Sequence, residues 1–190
     1  MPDTRTKSDK PGSFLSDIQE LRRRARQHME KGAVTQSYKA DPKKVSAVLN
    51  EALATEIVCV LRYKRHYFMA VGIHAQGVAE EFLQHANEEQ AHADRIAQRI
   101  VQLGGAPDLA PDTLTTRSHA EYKEGADLVD MIRENLVAER IAIDSYADMI
   151  RYIGDDDSTT RRLLEDVLGQ EEEHADDMKT LLEELVKGKP

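Results

Sequence analysis

Apolar residues recur every three or four positions along most of the chain and form four long segments. These segments run from about 43 to 71, 78 to 103, 125 to 153 and 158 to 187. Such spacing places apolar side chains along one face of a helix, whereas a half-buried strand would show strict alternation. The pattern therefore predicts an all-α protein with four long amphipathic helices.

The connections between these segments indicate how the helices are arranged. "GIHAQG" and "GDDDS" are short, so each joins a pair of antiparallel helices. The connection "GGAPDLAPDTLTTRSHAEYKE" is too long for a tight turn. It is long enough to follow a helix of about 27 residues, which spans roughly 40 Å. We therefore expect a four-helix bundle with a long crossover between the second and third helices.

The region before the first long helix has a different composition. Residues 1–12 are polar and are expected to form a disordered tail. A basic N-terminal extension with a short helix is expected at residues 13–40, and the bundle domain at residues 41–190.

Capping residues indicate where the first two helices begin. Ser13 or Ser16 is expected to cap the short helix, and Gly32 to end it. In "DPKKV", Asp41 is expected to cap the first bundle helix with Pro42 in its first turn.

Charge is distributed unevenly along the chain. The formal net charge is -9, from 26 basic and 35 acidic residues, yet the N-terminal extension is basic. Its arginine run could contact nucleic acid or simply face solvent, whereas the acidic body disfavours phosphate and attracts cations. The run consists of Arg22, Arg23, Arg24 and Arg26.

No apolar run is long enough to span a membrane, and the N-terminus has no apolar core of the kind a signal peptide needs. A soluble, cytoplasmic protein without membrane contact is therefore expected. Cys59 is the single cysteine, and its apolar neighbours in "EIVCVL" favour a core role.

Two Glu-x-x-His motifs occur in corresponding halves of the chain, Glu89 with His92 and Glu171 with His174. Residues three apart share one face of a helix, so each pair can act as a metal clamp. Single motifs of this kind are common by chance. Their repetition is what favours a functional site.

Each motif follows an earlier glutamate, Glu56 or Glu139, at nearly the same interval. The flanks "LATEIVCV" and "LVAERIAI" are apolar, so both carboxylates are expected to face the core. Tyr63 and Tyr146 each follow their glutamate by two helical turns. They either bond these carboxylates as core residues or supply electrons.

Four buried carboxylates would repel one another unless cations neutralised them. Two divalent ions supply the matching charge. Glu and His ligands without a thiolate suit iron or manganese better than a structural zinc site. The residues therefore predict a dinuclear metal centre that passes one electron from each ion to oxygen or hydrogen peroxide.

The chain from about residue 45 to 187 resembles the bacterioferritin branch of the ferritin-like superfamily. The resemblance lies in "LNEALATE", "EEQAH", "NLVAER" and "EEEHADDM", which match the known pattern of two helices with Glu and two with Glu-x-x-His. It implies two iron ions per subunit. By the same resemblance Glu56 and His92 would hold one iron, Glu139 and His174 the other, Glu89 and Glu171 would bridge them, and Tyr63 would be accessory.

The sequence departs from bacterioferritins in two places. Gln90 occupies the position of their haem-ligating methionine, so no haem is expected. The residues after His174 are too few for the fifth helix of 24-subunit shells. Dps-like mini-ferritins with a bacterioferritin-type site are therefore the closer resemblance, which implies a dodecamer rather than a 24-mer. The cysteine pair of some such relatives is missing.

The function that the resemblance implies is a ferroxidase and iron-storage or detoxification protein, oxidising Fe(II) with O2 or H2O2 inside a hollow homo-oligomer. Two alternatives stay open. One is a Dps-like oxidative-stress protein that protects DNA through its basic arm. The other is a non-storage di-metal peroxidase or manganese catalase. Near the ligands, His85 is expected to support the site rather than bind metal, and Glu88 to face solvent or line an ion route.

Overall fold

The computed structural model of the protein describes residues 17–72 and 75–187, and within these ranges it contains helices and no strand. The helices are α1 (Ile18–Ala25), α2 (Pro42–Met69), α3 (Ala75–Gln102), α4 (Leu114–Arg117), α5 (Leu128–Ile153) and α6 (Ser158–Lys187). The predicted all-α fold is confirmed, with the four long helices starting and ending within about three residues of their predicted bounds. The predicted tail, residues 1–12, lies outside the described residues.

The chain divides into two compact units between Ser37 and Tyr38. In the first unit α1 begins at Ile18, and the Asp17 carboxylate accepts hydrogen bonds from the backbone amides of Gln19 and Glu20. Asp17 therefore caps α1 in place of the expected serine, and Ser13 and Ser16 themselves lie outside the described residues. The helix is also shorter than expected, because His28 adopts a left-handed conformation (φ 54°) that a continuing α-helix excludes. A 3-10 helix, Met29–Lys31, then leads to Gly32.

The second unit begins its first long helix as the sequence predicts. Asp41 caps α2 by accepting a hydrogen bond from Lys43 N, and Pro42 lies in the first turn. Gly154 closes α5 with a positive φ of 54°, a conformation that glycine adopts at little cost. The chain then turns tightly into α6, as predicted for "GDDDS".

The four long helices form a bundle in which α2 packs against α3 and α5, and α6 packs against α5 and α3. Tyr63 of α2 lies beside Glu139 of α5, whereas Tyr146 of α5 lies beside Glu56 of α2. These contacts show that α2 and α5 are antiparallel. The arrangement is the predicted one: two antiparallel hairpins joined by a long crossover.

The crossover follows α2 and is held to it by hydrogen bonds between α2 side chains and crossover backbone groups: Asn50 and Thr55 accept from backbone amides, whereas Arg62 and His66 contact backbone carbonyls. In chain order the pairs are Asn50 with Asp108 (2.7 Å), Thr55 with His119 (3.0 Å), Arg62 with Glu121 (3.1 Å) and His66 with Lys123 (3.0 Å). From Asn50 to His66 the helix rises about 24 Å. The crossover thereby returns the chain to the end of the bundle where α5 begins.

The core lies between the four long helices. Its largest fully buried apolar side chains include Phe82, Ile96, Ile132 and Leu164. This apolar packing surrounds the polar residues of the centre described below. No helix within residues 17–72 and 75–187 has the length and apolar character needed to cross a membrane.

Candidate metal centre

The structure brings the six predicted ligand residues together in the middle of the bundle. All six are buried, from 0% exposure at Glu139 to 3% at His174. They form two four-residue groups in which the potential ligand atoms lie within 4.8 Å of one another. The first group is Glu56, Glu89, His92 and Glu171, and the second is Glu89, Glu139, Glu171 and His174. Glu89 and Glu171 belong to both groups.

Each helix contributes in the way its sequence predicts. Glu56 lies on α2 and Glu139 on α5, one from each half of the chain. The Glu-x-x-His pairs lie on α3 and α6, where the spacing of three residues places both side chains on the inner face. Four helices therefore deliver four carboxylates and two imidazoles to one buried place.

Both histidines direct Nδ1 toward the carboxylates. Nδ1 of His92 lies 3.0 Å from Glu171 Oε1 and hydrogen bonds to Glu56 Oε2 at 3.2 Å. Nδ1 of His174 lies 3.6 Å from Glu89 Oε1, which is too long for a good hydrogen bond. These ring nitrogens therefore occupy positions from which they could bind a metal ion.

Several buried polar atoms of the centre have no hydrogen bond. They are both carboxylate oxygens of Glu89, Oε2 of Glu139, Oε1 of Glu171 and Nδ1 of His174. A buried unsatisfied polar group costs roughly 1–3 kcal/mol, and more when charged. Metal ions would satisfy these atoms, and carboxylate and imidazole donors without thiolate fit iron or manganese.

Burial and mutual repulsion change the pKa values of the four carboxyl groups. Burial first, and then the negative charge of Glu89, raise the pKa of Glu56 from 4.5 to about 8. The same two causes raise the pKa of Glu139 and of Glu171. At Glu89 burial acts in the same direction, but contacts with His174 and His92 outweigh it and lower the pKa below its ordinary value. Three of the four carboxyls therefore resist ionisation when no cation is near.

The pKa values of His92 and His174 are raised, whereas burial by itself lowers the pKa of an imidazole. Burial alone would lower the pKa of His174, but its contacts with Glu89 raise it from 6.5 to about 9. For His92, contacts with Glu171 and Glu56 likewise outweigh burial and raise the pKa. The metal-free centre consequently holds protons, which a metal ion must displace to bind.

The two tyrosines bond across the bundle to the opposite glutamate. Tyr63 OH donates to Glu139 Oε1, and Tyr146 OH donates to Glu56 Oε1. Both rings are fully buried, and burial raises the pKa of both phenols well above its ordinary value. Of the two roles expected from sequence, the structure shows the hydrogen bond to a carboxylate.

The sequence did not predict the two residues that hydrogen bond to Nε2 of each imidazole, on the side away from the carboxylates. Glu88 Oε2 accepts a hydrogen bond from His174 Nε2 at 2.8 Å, so Glu88 does more than face solvent. Gln170 Oε1 accepts one from His92 Nε2 at 2.7 Å. A signal was present, because each residue directly precedes a predicted ligand glutamate. The partner, however, lies on the other helix.

His85 lies beside one half of the centre. It is fully buried, its Nδ1 is 3.2 Å from Tyr63 OH, and its ring stacks on His174 with centroids 4.0 Å apart. Burial first, and then the charge of His174, lower the pKa of His85 to about 4. On the outer side its Nε2 is 3.2 Å from the Glu81 carboxylate.

A buried arginine near the centre was also missed. Arg62 is 1% exposed and donates from Nε to Asn135 Oδ1 at 2.9 Å. The negative charges of Glu139 and Glu89 help to raise the pKa of its guanidinium, although burial opposes them. Arginine is almost always expected at the surface, so the sequence gives no sign of this position. Cys59 is buried in an apolar cluster with Ala120 and Ala138, as predicted for core filler.

Comparison with known proteins gives consistent matches over the bundle. Residues 46–187 match the family model described as the ferritin-like domain. The chain is 28% identical to bacterioferritin from Brucella melitensis over 151 residues, covering 78% of this chain and 88% of that protein. It is 29% identical to a nutrient stress-induced DNA-binding protein of Nostoc sp. over 136 residues, covering 69% of this chain and 73% of that protein.

Solved structures show the same fold. A dodecameric thioferritin, the bacterioferritin-related protein of Bacteroides fragilis, superposes with a TM-score of 0.75 and 31% identity. The match covers 78% of this chain and 90% of that one.

Proposed function

The chain belongs to the ferritin-like domain family, and from this premise we propose that it is a ferroxidase that also stores iron. Its substrates are ferrous iron and either O2 or H2O2. Each ferrous ion gives up one electron, so a pair of ions reduces hydrogen peroxide to water or oxygen to hydrogen peroxide. We also propose that the protein lies in the cytoplasm and binds no haem.

The observation that carries the proposal is the pair of ligand groups that share Glu89 and Glu171. Shared carboxylates allow two ions to lie close together, which a two-electron reaction requires. In this proposal Glu56 and His92 complete one position, while Glu139 and His174 complete the other. Glu89 and Glu171 bridge them.

The side chains have further roles before and after ferrous iron binds. The centre gives up protons as the ions bind, because three carboxyls and both imidazoles have raised pKa values. The hydroxyls of Tyr63 and Tyr146 fix the two outer carboxylates. The surrounding apolar side chains limit water, which strengthens electrostatic interactions within the centre.

Storage requires a hollow assembly. The Bacteroides fragilis structure is dodecameric, and we propose a homo-dodecamer for this chain as well. Acidic surfaces, expected from the net charge of -9, would concentrate ferrous ions around such a shell.

The test of the reaction is the rate of ferric absorbance after Fe(II) is mixed with metal-free protein in air. Glu89→Ala and Glu171→Ala each remove a carboxylate that both positions share. Their rates should fall by more than the roughly 10–100-fold typical of changes in residues that only support ligands. Glu173→Ala, which removes an exposed carboxylate on α6, should retain the parent rate. Full activity in both bridging variants would remove the site assignment.

The test of storage is iron loading followed by size determination. A storage protein should elute as a large assembly and retain many irons per chain. A monomer or dimer that never holds more than two irons per chain would contradict storage. Manganese as the metal of the purified protein would instead favour a manganese catalase.

A second candidate function is DNA protection, which the similarity to the Nostoc protein favours. In the first compact unit Arg22, Arg23 and Arg26 are exposed on or beside α1. Binding through such residues should weaken steeply between 50 and 200 mM salt. It should also disappear when residues 1–31 are deleted, and binding that survives the deletion would exclude this arm as the contact.

A further inference from the structure

Two residues in equivalent positions support the two imidazoles of the centre with different chemistry. Glu88 precedes the ligand Glu89 on α3 and accepts from His174 Nε2 of α6 at 2.8 Å. Gln170 precedes Glu171 on α6 and accepts from His92 Nε2 of α3 at 2.7 Å. The geometry is the same in both halves, but one acceptor is a carboxylate and the other is a neutral amide.

The acceptor controls how well each imidazole can donate to a metal ion. Carboxylate and amide oxygens can only accept, so each Nε2 keeps its proton, and Nδ1, which faces the predicted ligand carboxylates, is the nitrogen that a metal ion would bind after displacing the Nδ1 proton. A carboxylate acceptor makes a stronger, charge-assisted hydrogen bond than an amide does. It also raises the basicity of the imidazole more. Glu88 is itself held in place, because Gln84 Nε2 donates to its other oxygen at 3.2 Å.

From this difference we propose that Glu88 and Gln170 are positioning residues that make the two metal positions unequal. The position with Glu139 and His174 takes its divalent ion first and holds it more tightly. The position with Glu56 and His92 fills second and releases its ion more readily. This inference rests on the proposed function, since it assigns an order of filling to the same centre.

One other charge acts against this order. Arg62 is buried on the Glu139 side, and its positive charge disfavours a cation there. The hydrogen bonds of its guanidinium go to the Asn135 amide, the Glu121 carbonyl and the Cys59 sulfur. It also interacts with Glu89, which both positions share. Glu88 contacts one imidazole directly at 2.8 Å, so its effect is specific to one position and decides the order.

The experiment is a calorimetric titration of metal-free, full-length protein with Co(II), which binds nitrogen and oxygen ligands without being oxidised in the absence of oxygen. The parent protein should bind in two steps whose affinities differ by roughly 10–100-fold. Glu88→Gln should lower the affinity of the tighter step, so that the affinities of the two steps become more alike. Gln170→Glu should strengthen the weaker step. Glu172→Gln, which removes an exposed carboxylate beside Glu171, should leave both steps unchanged.

The order is assigned by removing one histidine at a time. His92→Ala retains the carboxylate-supported His174 and should hold its remaining Co(II) about 10-fold more tightly than His174→Ala holds its own. In the exchanged background Glu88→Gln with Gln170→Glu, this preference should reverse. A merely structural role for Glu88 and Gln170 would weaken binding in the exchange without reversing the preference.

Two equal affinities in the parent protein, or a preference that the exchange leaves in place, would overturn the inference. If such a protein still oxidised iron through Glu89 and Glu171, the proposed function would stand without it. Absence of Co(II) binding at the centre would overturn both. The exchange keeps the net charge of the protein constant, so a reversal cannot come from long-range electrostatics.

Discussion

The two halves of the proposed metal centre contain the same candidate ligands in different surroundings. Each half has one outer glutamate, one histidine and one tyrosine bonded across the bundle. The half around Glu139 also has His85 against Tyr63, the carboxylate of Glu88 and the buried Arg62. At the equivalent positions in the other half the chain has Val167, Gln170 and Ser145.

Some residues of the proposed centre are needed to bind two ions at all, whereas others only change the affinity with which each ion is held. If two ions bind as proposed, the ligand residues have to match because both ions need carboxylate and imidazole donors in similar geometry. Residues around the ligands are free to differ, and they change the charge and hydrogen bonding at one position without changing the other. A repeated ligand set can therefore hold two ions with different properties.

The largest expected stability difference between the halves comes from Arg62. Arg62→Met removes the buried guanidinium and leaves the Glu121 carbonyl without this donor. It also removes a positive charge near Glu139 and Glu89. We expect the metal-free protein to lose about 2–4 kcal/mol of unfolding free energy. The equivalent change, Ser145→Ala, should alter stability by no more than about 0.5 kcal/mol.

Denaturant unfolding of metal-free protein measures both changes. An Arg62→Met variant as stable as the parent would mean that the cost of burying the guanidinium cancels its contacts. The charge difference between the halves would then have no consequence for stability. The methionine was chosen because it keeps most of the buried volume.

Both halves of the centre contain groups with raised pKa values, and the pH dependence of stability tests this shared property. Glu56 in one half has a pKa raised to about 8, and His174 in the other has a pKa raised to about 9. A raised folded-state pKa means that the folded state binds the proton more tightly than the unfolded state. The stabilisation is full below the unfolded values and is lost as pH rises through 8 to 9.

Metal-free protein should therefore unfold more easily at pH 9 than at pH 6, by several kcal/mol because each pKa unit is worth about 1.4 kcal/mol, and its melting temperature should fall by roughly 10 °C or more. The lowered pKa of Glu89 acts at acid pH and does not change this sign. Saturating Co(II) should remove the loss, since the bound ion replaces the protons. Constant stability across this range without metal would contradict the raised pKa values.

The smallest expected difference is between the two tyrosines. Tyr63→Phe and Tyr146→Phe each remove one hydroxyl bonded to a carboxylate. Tyr63→Phe also removes the partner of His85 Nδ1, 3.2 Å away. We therefore expect it to cost about 1 kcal/mol more than Tyr146→Phe. Denaturant unfolding of the two variants decides this. Equal costs would mean that the contact with His85 contributes nothing.

The fold could be predicted closely from sequence because its signals are local. Helical periodicity, the Asp41 cap and the short connection that begins at Gly154 each depend on a few neighbouring residues. The prediction was wrong at α1, where the left-handed conformation of His28 ends the helical path early. Histidine gives little warning of such a conformation. Glycine in the same place would have indicated it.

The sequence by itself determined the six candidate ligands, because residues three apart share a helical face and the motif occurs in both halves. Only the tertiary structure decided that Tyr63 bonds Glu139, that Glu88 supports His174 and that Arg62 is buried beside them. The physical reason is the range of the interactions. Positions on one helix follow from its pitch, whereas contacts between helices depend on the register and rotation at which four packed faces meet.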